Sequence, residues 1–242
     1  MSSDINNLYV RSQQKLDAGD YESALDDLGE VIQLVPSEPE YYWTRARCWS
    51  QLSNPNAEFD DLAKILEVTD DLAWHAKAHR LRAIRLQQQK KWEGAIIEGE
   101  WLLNHGFEDD HIHKLIAGCK NELGQVEDAI LHYTIAIELS PSPIPLISRA
   151  HIYIKLNKFS EAIQDLSEAL EKCNDTYDVK FVVYRLRGET YYQLNDKVRA
   201  LDDFNNYQLI RGIEKYSSAD EYIQAFESWA KKANEYRIAR DL

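Results

Sequence analysis

The sequence predicts an all-α solenoid of about six stacked helix pairs, closed by a C-terminal helix. Three observations predict it. First, one segment recurs at intervals near thirty-four residues. It reads Tyr21-x-x-Ala24-Leu25-Asp26-Asp27-Leu28, then Val31-Ile32-x-Leu34-x-Pro36. It returns as Glu127-Asp128-Ala129-Ile130 with Tyr133 and Ala136-Ile137-x-Leu139-x-Pro141, and as Phe159-x-x-Ala162-Ile163-x-x-Leu166 with Ala169-Leu170. It appears again as Ala200-Leu201-Asp202-Asp203-Phe204. Second, apolar residues recur at three- and four-residue steps almost throughout, which is the helical period. Third, Gly and Pro are scarce and stand between the periodic segments.

Each unit of such an array buries its apolar face on its neighbours, so no single large core is needed. Anchoring on the recurring alanine places pairs at about 5–38, 39–72, 76–109, 110–142, 143–175 and 181–214. The anchors are Ala24, the Ala57–Glu58 step, Ala95, Ala129, Ala162 and Ala200. Small residues also recur in the first helix of each pair: Ser12, Ala46, Ala83, Ala117, Ala150 and Gly188. Small side chains at both places let paired helices approach to about 8–10 Å.

These residues carry a resemblance to the tetratricopeptide repeat family. That family places small residues at its eighth and twentieth positions, aromatic residues or leucine at the eleventh, seventeenth and twenty-fourth, and proline near the end of the repeat. The fifth pair fits well, with Leu146, Ala150, Tyr153, Phe159, Ala162, Leu166 and Ala169; the sixth follows with Tyr184, Gly188, Tyr191, Ala200 and Phe204. The resemblance covers about 5–214, within a solenoid read as 1–214, and implies a right-handed superhelix of antiparallel pairs.

Departures from the pattern fall at particular places. Asn54-Pro55 reads as an N-cap followed by proline at the first helical position. Extra residues around Asp70–Trp74 are expected to break the helix before the third pair, and a longer insertion, Asp175–Lys180, precedes the sixth. Gly99 stands where a large apolar residue belongs, and Gly94 lies in the same helix. Each glycine costs about 1 kcal/mol against alanine, so the least regular packing is expected there. The tail, 215–242, reads as a capping helix. Ser218 and Glu221 form a capping box, and Tyr222, Phe226, Trp229, Ala233 and Tyr236 share one stripe. A dimerisation helix is the alternative reading of that stripe.

Composition narrows the function. The 242 residues carry a formal net charge of -13, which disfavours nonspecific attraction to phosphate or anionic lipid. Cys48, Cys119 and Cys173 are far apart and form no CxxC pair, so they read as reduced thiols of a cytoplasmic protein. The first residues show no basic or apolar leader pattern. No stretch reaches the roughly 18 apolar residues of a membrane span.

The resemblance implies a concave peptide-binding groove on the first helices. It would be lined by Tyr9, Gln13, Trp43, Arg47, Lys77, Arg80, Ile84, His111, Lys114, Ile147, His151, Lys155, Arg185, Glu189 and Tyr192. Six cations stand among them, opposed by Asp17, Glu40, Glu122 and Glu189. Arginines flanked by Tyr9 and Trp43 suit the carboxylates and anchors of an acidic or amphipathic peptide. An acidic position recurs on the second helices as Asp27, Asp61, Glu98, Asp165 and Asp203, with His132 the exception, and is expected to be a solvated face. The family's carboxylate-clamp subclass is not matched, since only Lys77 corresponds to its pattern.

His75 and His79, with Asp71, have metal-ligand spacing only on an unbroken helix. His105, His111 and His113 lie around a turn with Asp109 and Asp110. No metal site and no cofactor is expected. No phosphate loop, nucleophile elbow or HExxH motif appears, so no catalysis is expected. The expected function is protein–protein interaction as a scaffold, adaptor or co-chaperone. The alternative is RNA or ribonucleoprotein binding through the basic third repeat, with Lys77, Arg80, Arg82, Arg85, Lys90 and Lys91. That patch is local, and an RNA-binding array would repeat it along the groove.

Overall fold

A computed structural model of the chain describes residues 2–173, 177–211, 217–225 and 227–228. Among these the secondary structure is helical, with no strand. The chain divides into two compact units, Met1–Gln125 and Val126–Leu242. The boundary falls inside the expected fourth pair, between its two helices.

The first unit holds α1 (Ser2–Asp17), α2 (Tyr21–Leu34), α3 (Pro39–Gln51), α4 (Pro55–Val68), α5 (Leu72–Gln88), α6 (Trp92–Asn104) and α7 (Asp110–Glu122). The second holds α8 (Val126–Leu139), α9 (Ile144–Lys155), α10 (Phe159–Lys172), α11 (Tyr177–Gln193) and α12 (Lys197–Arg211). A further helical stretch runs over 219–225.

Helices form and stop where the local chemistry directs. Asp20, Asn54, Asp71 and Asp109 each accept a backbone N–H of the first turn they precede. Pro39 and Pro55 open α3 and α4, where a missing N–H costs nothing. Within each expected pair the turn holds one residue at positive φ: Gly19, Ser53, Lys90, Gly124, Asn157 and Asn195. The residue after it donates back to the helix, as in Asp20 N to Lys15 O and Asp196 N to Tyr191 O, both at 2.9 Å. This left-handed cap satisfies carbonyls that the helix end would leave open.

The interior follows the repeat. The recurring alanines Ala24, Ala95, Ala129, Ala162 and Ala200 are fully buried, and so are Ser12, Ala46, Ala117 and Ala150 of the first helices. In the second unit a Cβ on Gly188 would stand 2.6 Å from Phe204 Cε1, so only glycine admits that ring. Gly99 plays a similar part in the first unit, where a Cβ would stand 2.8 Å from Ile116 Cγ1. The glycines of α6 are therefore places of close approach: Ile116 of α7 leans over Gly99, and Leu86 lies against Gly94.

One expectation about insertions is corrected. The extra residues near 70–74 do not break the helix. Asp71 caps it, and Leu72–His75 add a turn to α5. Likewise 177–180 of the second insertion begin α11. Asp175 lies outside the described residues.

The tail begins as expected. Glu221 N donates to Ser218 Oγ at 3.1 Å, while the Glu221 carboxylate reaches Ser217, accepting its N–H at 2.9 Å and its hydroxyl at 2.6 Å. Ala219 and Tyr222 are buried with Tyr191, Ala200, Phe204 and Tyr207. The Tyr222 ring stacks on Phe204 with centroids 3.8 Å apart. The rest of the expected stripe, Phe226, Trp229, Ala233 and Tyr236, lies outside the described residues.

Candidate peptide-binding face

The recurrent acids are not a solvated band. Asp27, Asp61, Glu98, Asp165 and Asp203 are only 2–7% exposed. Each meets an arginine sixteen residues earlier, on the first helix of the same pair. The pairs are Arg11–Asp27, Arg45–Asp61, Arg82–Glu98, Arg149–Asp165 and Arg187–Asp203, at 2.6–2.8 Å. Buried carboxylates are tolerated only when paired and hydrogen-bonded. Four of the five pairs are bidentate, through Nε and Nη2. At Glu98 the pattern differs, because His79 Nδ1 takes one oxygen at 2.5 Å and Arg82 reaches the other through Nη2. In the second unit the arginines also tie helix pairs together. Arg149 Nη1 donates to Thr134 Oγ1 at 2.7 Å, and Arg187 Nη1 to Ser167 Oγ at 3.0 Å.

The expected groove residues of the first unit fall into three groups. Tyr9 is 9% exposed and belongs to the core beside Tyr41. Its hydroxyl contacts Thr44 Oγ1 at 3.0 Å and accepts from Gln13 Nε2 at 2.9 Å. Burial pushes that phenol up to about 12, so Tyr9 holds the face together from within. Arg80 and Lys114 are engaged, with Asp109 at 2.8 Å and Asp110 at 2.9 Å. Those two acids, at the start of α7, were not among the residues expected to oppose the groove. Arg47, Lys77, Ile84 and His111 are exposed, and Trp43 is half-buried. Lys77 Nζ lies 3.9 Å from the centre of the Trp74 ring. Neither Arg47 nor Lys77 makes a salt bridge among the described residues.

Trp43, Lys77, Arg80, Ile84 and His111 line two adjoining clefts of the first unit. One, of about 440 Å3, is bounded by Trp43, Lys77, Arg80, Leu81, Ile84 and Phe107, with Ala73 and Ala76. The other, of about 230 Å3, lies among Arg80, Ala83, Ile84, Gly99, Leu102, His111, Ile112 and Leu115. Arg80 and Ile84 belong to both. The face is mainly apolar with cations at its rim.

In the second unit, Ile147 is 8% exposed and sits in the core. Arg185 pairs with Glu189 one turn on, at 3.0 Å. Tyr192 donates its hydroxyl to Asp220 at 2.7 Å. His151 and Lys155 are exposed. Desolvation by the surrounding groups, with Arg185 and Lys155 nearby, holds the His151 imidazole below its ordinary range.

The basic third repeat is largely neutralised in place. Arg80 pairs with Asp109, Arg82 with Glu98, and Arg85 with Glu58 at 2.9 Å. The histidine set on α5 does not converge on a point. His75 Nε2 contacts the Thr69 carbonyl at 2.7 Å, His79 stacks on Trp101 with centroids 3.9 Å apart, and Asp71 caps the helix. Among the described residues no group of three His, Cys, Asp or Glu side chains could hold a metal ion.

The fold and repeat geometry are those of a tetratricopeptide repeat solenoid. A family model for the tetratricopeptide repeat matches residues 146–172, within the fifth pair. Mouse (Mus musculus) sperm-associated antigen 1 is 35% identical over 80 residues. That match takes in 33% of this chain and 8% of that protein's length. Among solved structures, the C-terminal part of a tetratricopeptide repeat protein from Cytophaga hutchinsonii superposes with a TM-score of 0.70 at 14% identity, over 84% of this chain and 78% of that one. YrrB, described as a tetratricopeptide repeat protein with an unusual peptide-binding site, gives 0.60 at 17%, over 76% and 92%. MamA from Desulfovibrio magneticus gives 0.62 at 17%, over 69% and 94%. At these identities the likeness is one of fold. Among the described residues no helix is long and apolar enough to cross a membrane.

Proposed function

We propose that this protein is a non-catalytic interaction scaffold or adaptor, and that the face made by α3, α5 and α7 binds an acidic or amphipathic peptide segment of a partner protein. One observation carries the reading: Trp43, Lys77, Arg80, Ile84 and His111 line two adjoining apolar clefts rimmed by cations. Apolar clefts take anchor side chains, and cations at the rim select carboxylates and steer approach. The unpaired Arg47 and Lys77 supply that attraction, on a chain whose other recurrent charges are consumed in its own ladder. The neutralised arginines of α5 favour this reading over RNA binding, which needs cations free to meet phosphates. The buried thiols Cys48, Cys119 and Cys173 accord with a reducing compartment, the cytoplasm.

The test compares two charge reversals. Arg47→Glu with Lys77→Glu alters exposed groove cations. Asp26→Lys with Asp60→Lys alters exposed acids of the second helices. Peptides selected from a random library on the unmodified chain supply the ligand, and binding is read by titration calorimetry. The groove variant should lose affinity and the other retain it. Retention by the groove variant with loss in the other places binding on the opposite side and ends this reading.

A further inference from the structure

In five of the six repeats the second helix carries a large side chain at one interior position: Leu28, Leu62, Tyr133, Leu166 and Phe204. Leu28, Leu62, Leu166 and Phe204 are completely buried, and Tyr133 nearly so. In the third repeat the residue at this position is Gly99. Part of the space is taken by Ile116, which leans over the glycine. The rest is the cleft of about 230 Å3, with Gly99 and Leu102 at its base and Ala83, Ile84, Ile112 and Leu115 around it. Arg80 and His111 stand at its rim.

We infer that this cleft is an anchor pocket for one aromatic side chain of a partner peptide, with an acidic residue of the same peptide placed at Lys77. The inference rests on the groove reading above and adds the class of residue recognised. Three features support an aromatic occupant. Ala83, Ile84, Leu102, Ile112 and Leu115 give the lining a mainly aliphatic surface, which rewards an apolar guest without hydrogen-bonding needs. An apolar cavity of about 150 Å3 already accepts a benzene ring, so this one has room for a substituted ring. Gly99 contributes no side chain to the lining, and a ring entering the cleft meets the apolar atoms of Leu102, Ile112 and Leu115. The acidic neighbour follows from charge. Arg80 is held at the rim by Asp109, with both side chains 37% exposed, so the uncommitted cation beside the cleft is Lys77, which lines the adjoining one with Arg80. A ligand carboxylate there meets a cation that no acid of the first unit already holds among the described residues.

Two arms test this on the full chain. In the first, methyl-labelled protein is titrated with toluene and followed by NMR. Saturable shifts are expected at the Ile84, Ile112, Leu115 and Ile116 methyls, with Leu28, Leu62 and Leu166 unmoved. Unmoved methyls at the pocket overturn the inference and leave the groove reading standing. In the second, library-selected peptides are tested against Leu115→Trp, which fills the pocket, and Ile84→Trp, which blocks its mouth from a position 37% exposed. The selected peptides should share an aromatic residue beside an acid. Each variant should weaken them by about tenfold or more, with helicity and melting checked by circular dichroism. The exposed Ile84→Trp serves if Leu115→Trp fails to fold. Peptides that lose binding on Arg47→Glu yet ignore both tryptophans overturn the pocket alone. Peptides indifferent to all three overturn the pocket and the groove together.

Discussion

Arg45 holds Asp61 across the two helices of one repeat, with Nε to Oδ2 at 2.9 Å and Nη2 to Oδ1 at 2.6 Å. Asp61 is nearly sealed from solvent and Arg45 mostly so. Removing one partner strands a buried charge, at a cost of about 3–5 kcal/mol. Asp61→Ala should therefore destabilise the chain severely. Replacing both, as Arg45→Met with Asp61→Leu, should restore much of the loss, since an apolar pair leaves nothing unsatisfied. Urea unfolding of Arg45→Met, Asp61→Leu and the double closes the cycle. If the double is as damaged as the sum of the singles, the pair is not coupled.

Asp27 gives the ladder a pH dependence. The Arg11 guanidinium holds its carboxyl down at about 2, against about 3.9 in an unfolded chain. A lowered folded value means stability present above about pH 4 and lost as pH falls toward 2. Asp61 and Asp203 run the other way, because burial raises them despite their arginines. The whole-chain acid response is thus a mixture, and the difference between unmodified chain and Asp27→Asn isolates one group. Asp27→Asn should be less stable at pH 6, with the gap closing as pH approaches 2. Arg11 is 55% exposed, so the gap should be modest. A gap that stays constant across that range would assign the titration elsewhere.

Much of the fold was legible in the sequence. The helical period pointed to the all-α architecture, and the small residues marked close contacts within each unit. Asn54 was identifiable as a cap from its neighbour Pro55. The acidic ladder was misread because each carboxylate was judged on its own helix. Its signal was present as a repeated offset: an arginine sits sixteen residues before Asp27, Asp61, Glu98, Asp165 and Asp203, a span that crosses one helix–turn–helix. The lining of the two clefts was partly legible, through Trp43, Lys77, Arg80, Ile84 and His111. Which cations stay free depends on where the turn before α7 delivers Asp109 and Asp110, and a periodic pattern does not carry that. The α5 extension was legible in principle, since Asp71 is a good N-cap and Leu72, Ala73, Ala76 and Leu81 continue a helical period without Gly or Pro.

The turn residue Lys90 offers a gain in stability. Its φ is +59°, where a side chain costs about 1–2 kcal/mol. The equivalent turns at Gly19 and Gly124 use glycine. Lys90 is exposed and makes no salt bridge among the described residues. Lys90→Gly should therefore raise stability by roughly 0.5–1 kcal/mol, after the added freedom of the unfolded chain is subtracted. Thermal melting checks this. A lower melting midpoint would mean that the lysine holds a contact that outweighs its backbone strain.

The three thiols should be silent in the native protein. Cys48 and Cys119 have no exposed surface and Cys173 very little. Burial pushes all three up, Cys119 to about 11. The reactive thiolate is therefore scarce at neutral pH as well as shielded. Ellman's reagent at pH 7.5 should react slowly with the native chain and promptly with three thiols in guanidinium. One thiol reacting fast in the native state would reveal local opening around it.

Tyr222 closes the end of the last pair. Its ring stacks on Phe204 at 3.8 Å and meets Tyr207 edge-on at 6.1 Å. Phe204 is itself completely buried, under a glycine that admits its ring. Tyr222→Ala should uncover that ring and cost about 3–5 kcal/mol, the range for a buried aromatic truncated to alanine. Asp220 supports the same segment through Tyr192 and through Lys197 at 2.8 Å, but these groups are largely solvated, so Asp220→Ala should cost much less. Because stability in stacked repeats is nearly a sum of local terms, the loss should begin in α11 and α12. Hydrogen exchange by mass spectrometry should show those helices opening first in Tyr222→Ala while α1–α4 keep their protection. Equal loss of protection in α1–α4 would contradict both the cap at 219–225 and the local summation on which the prediction stands.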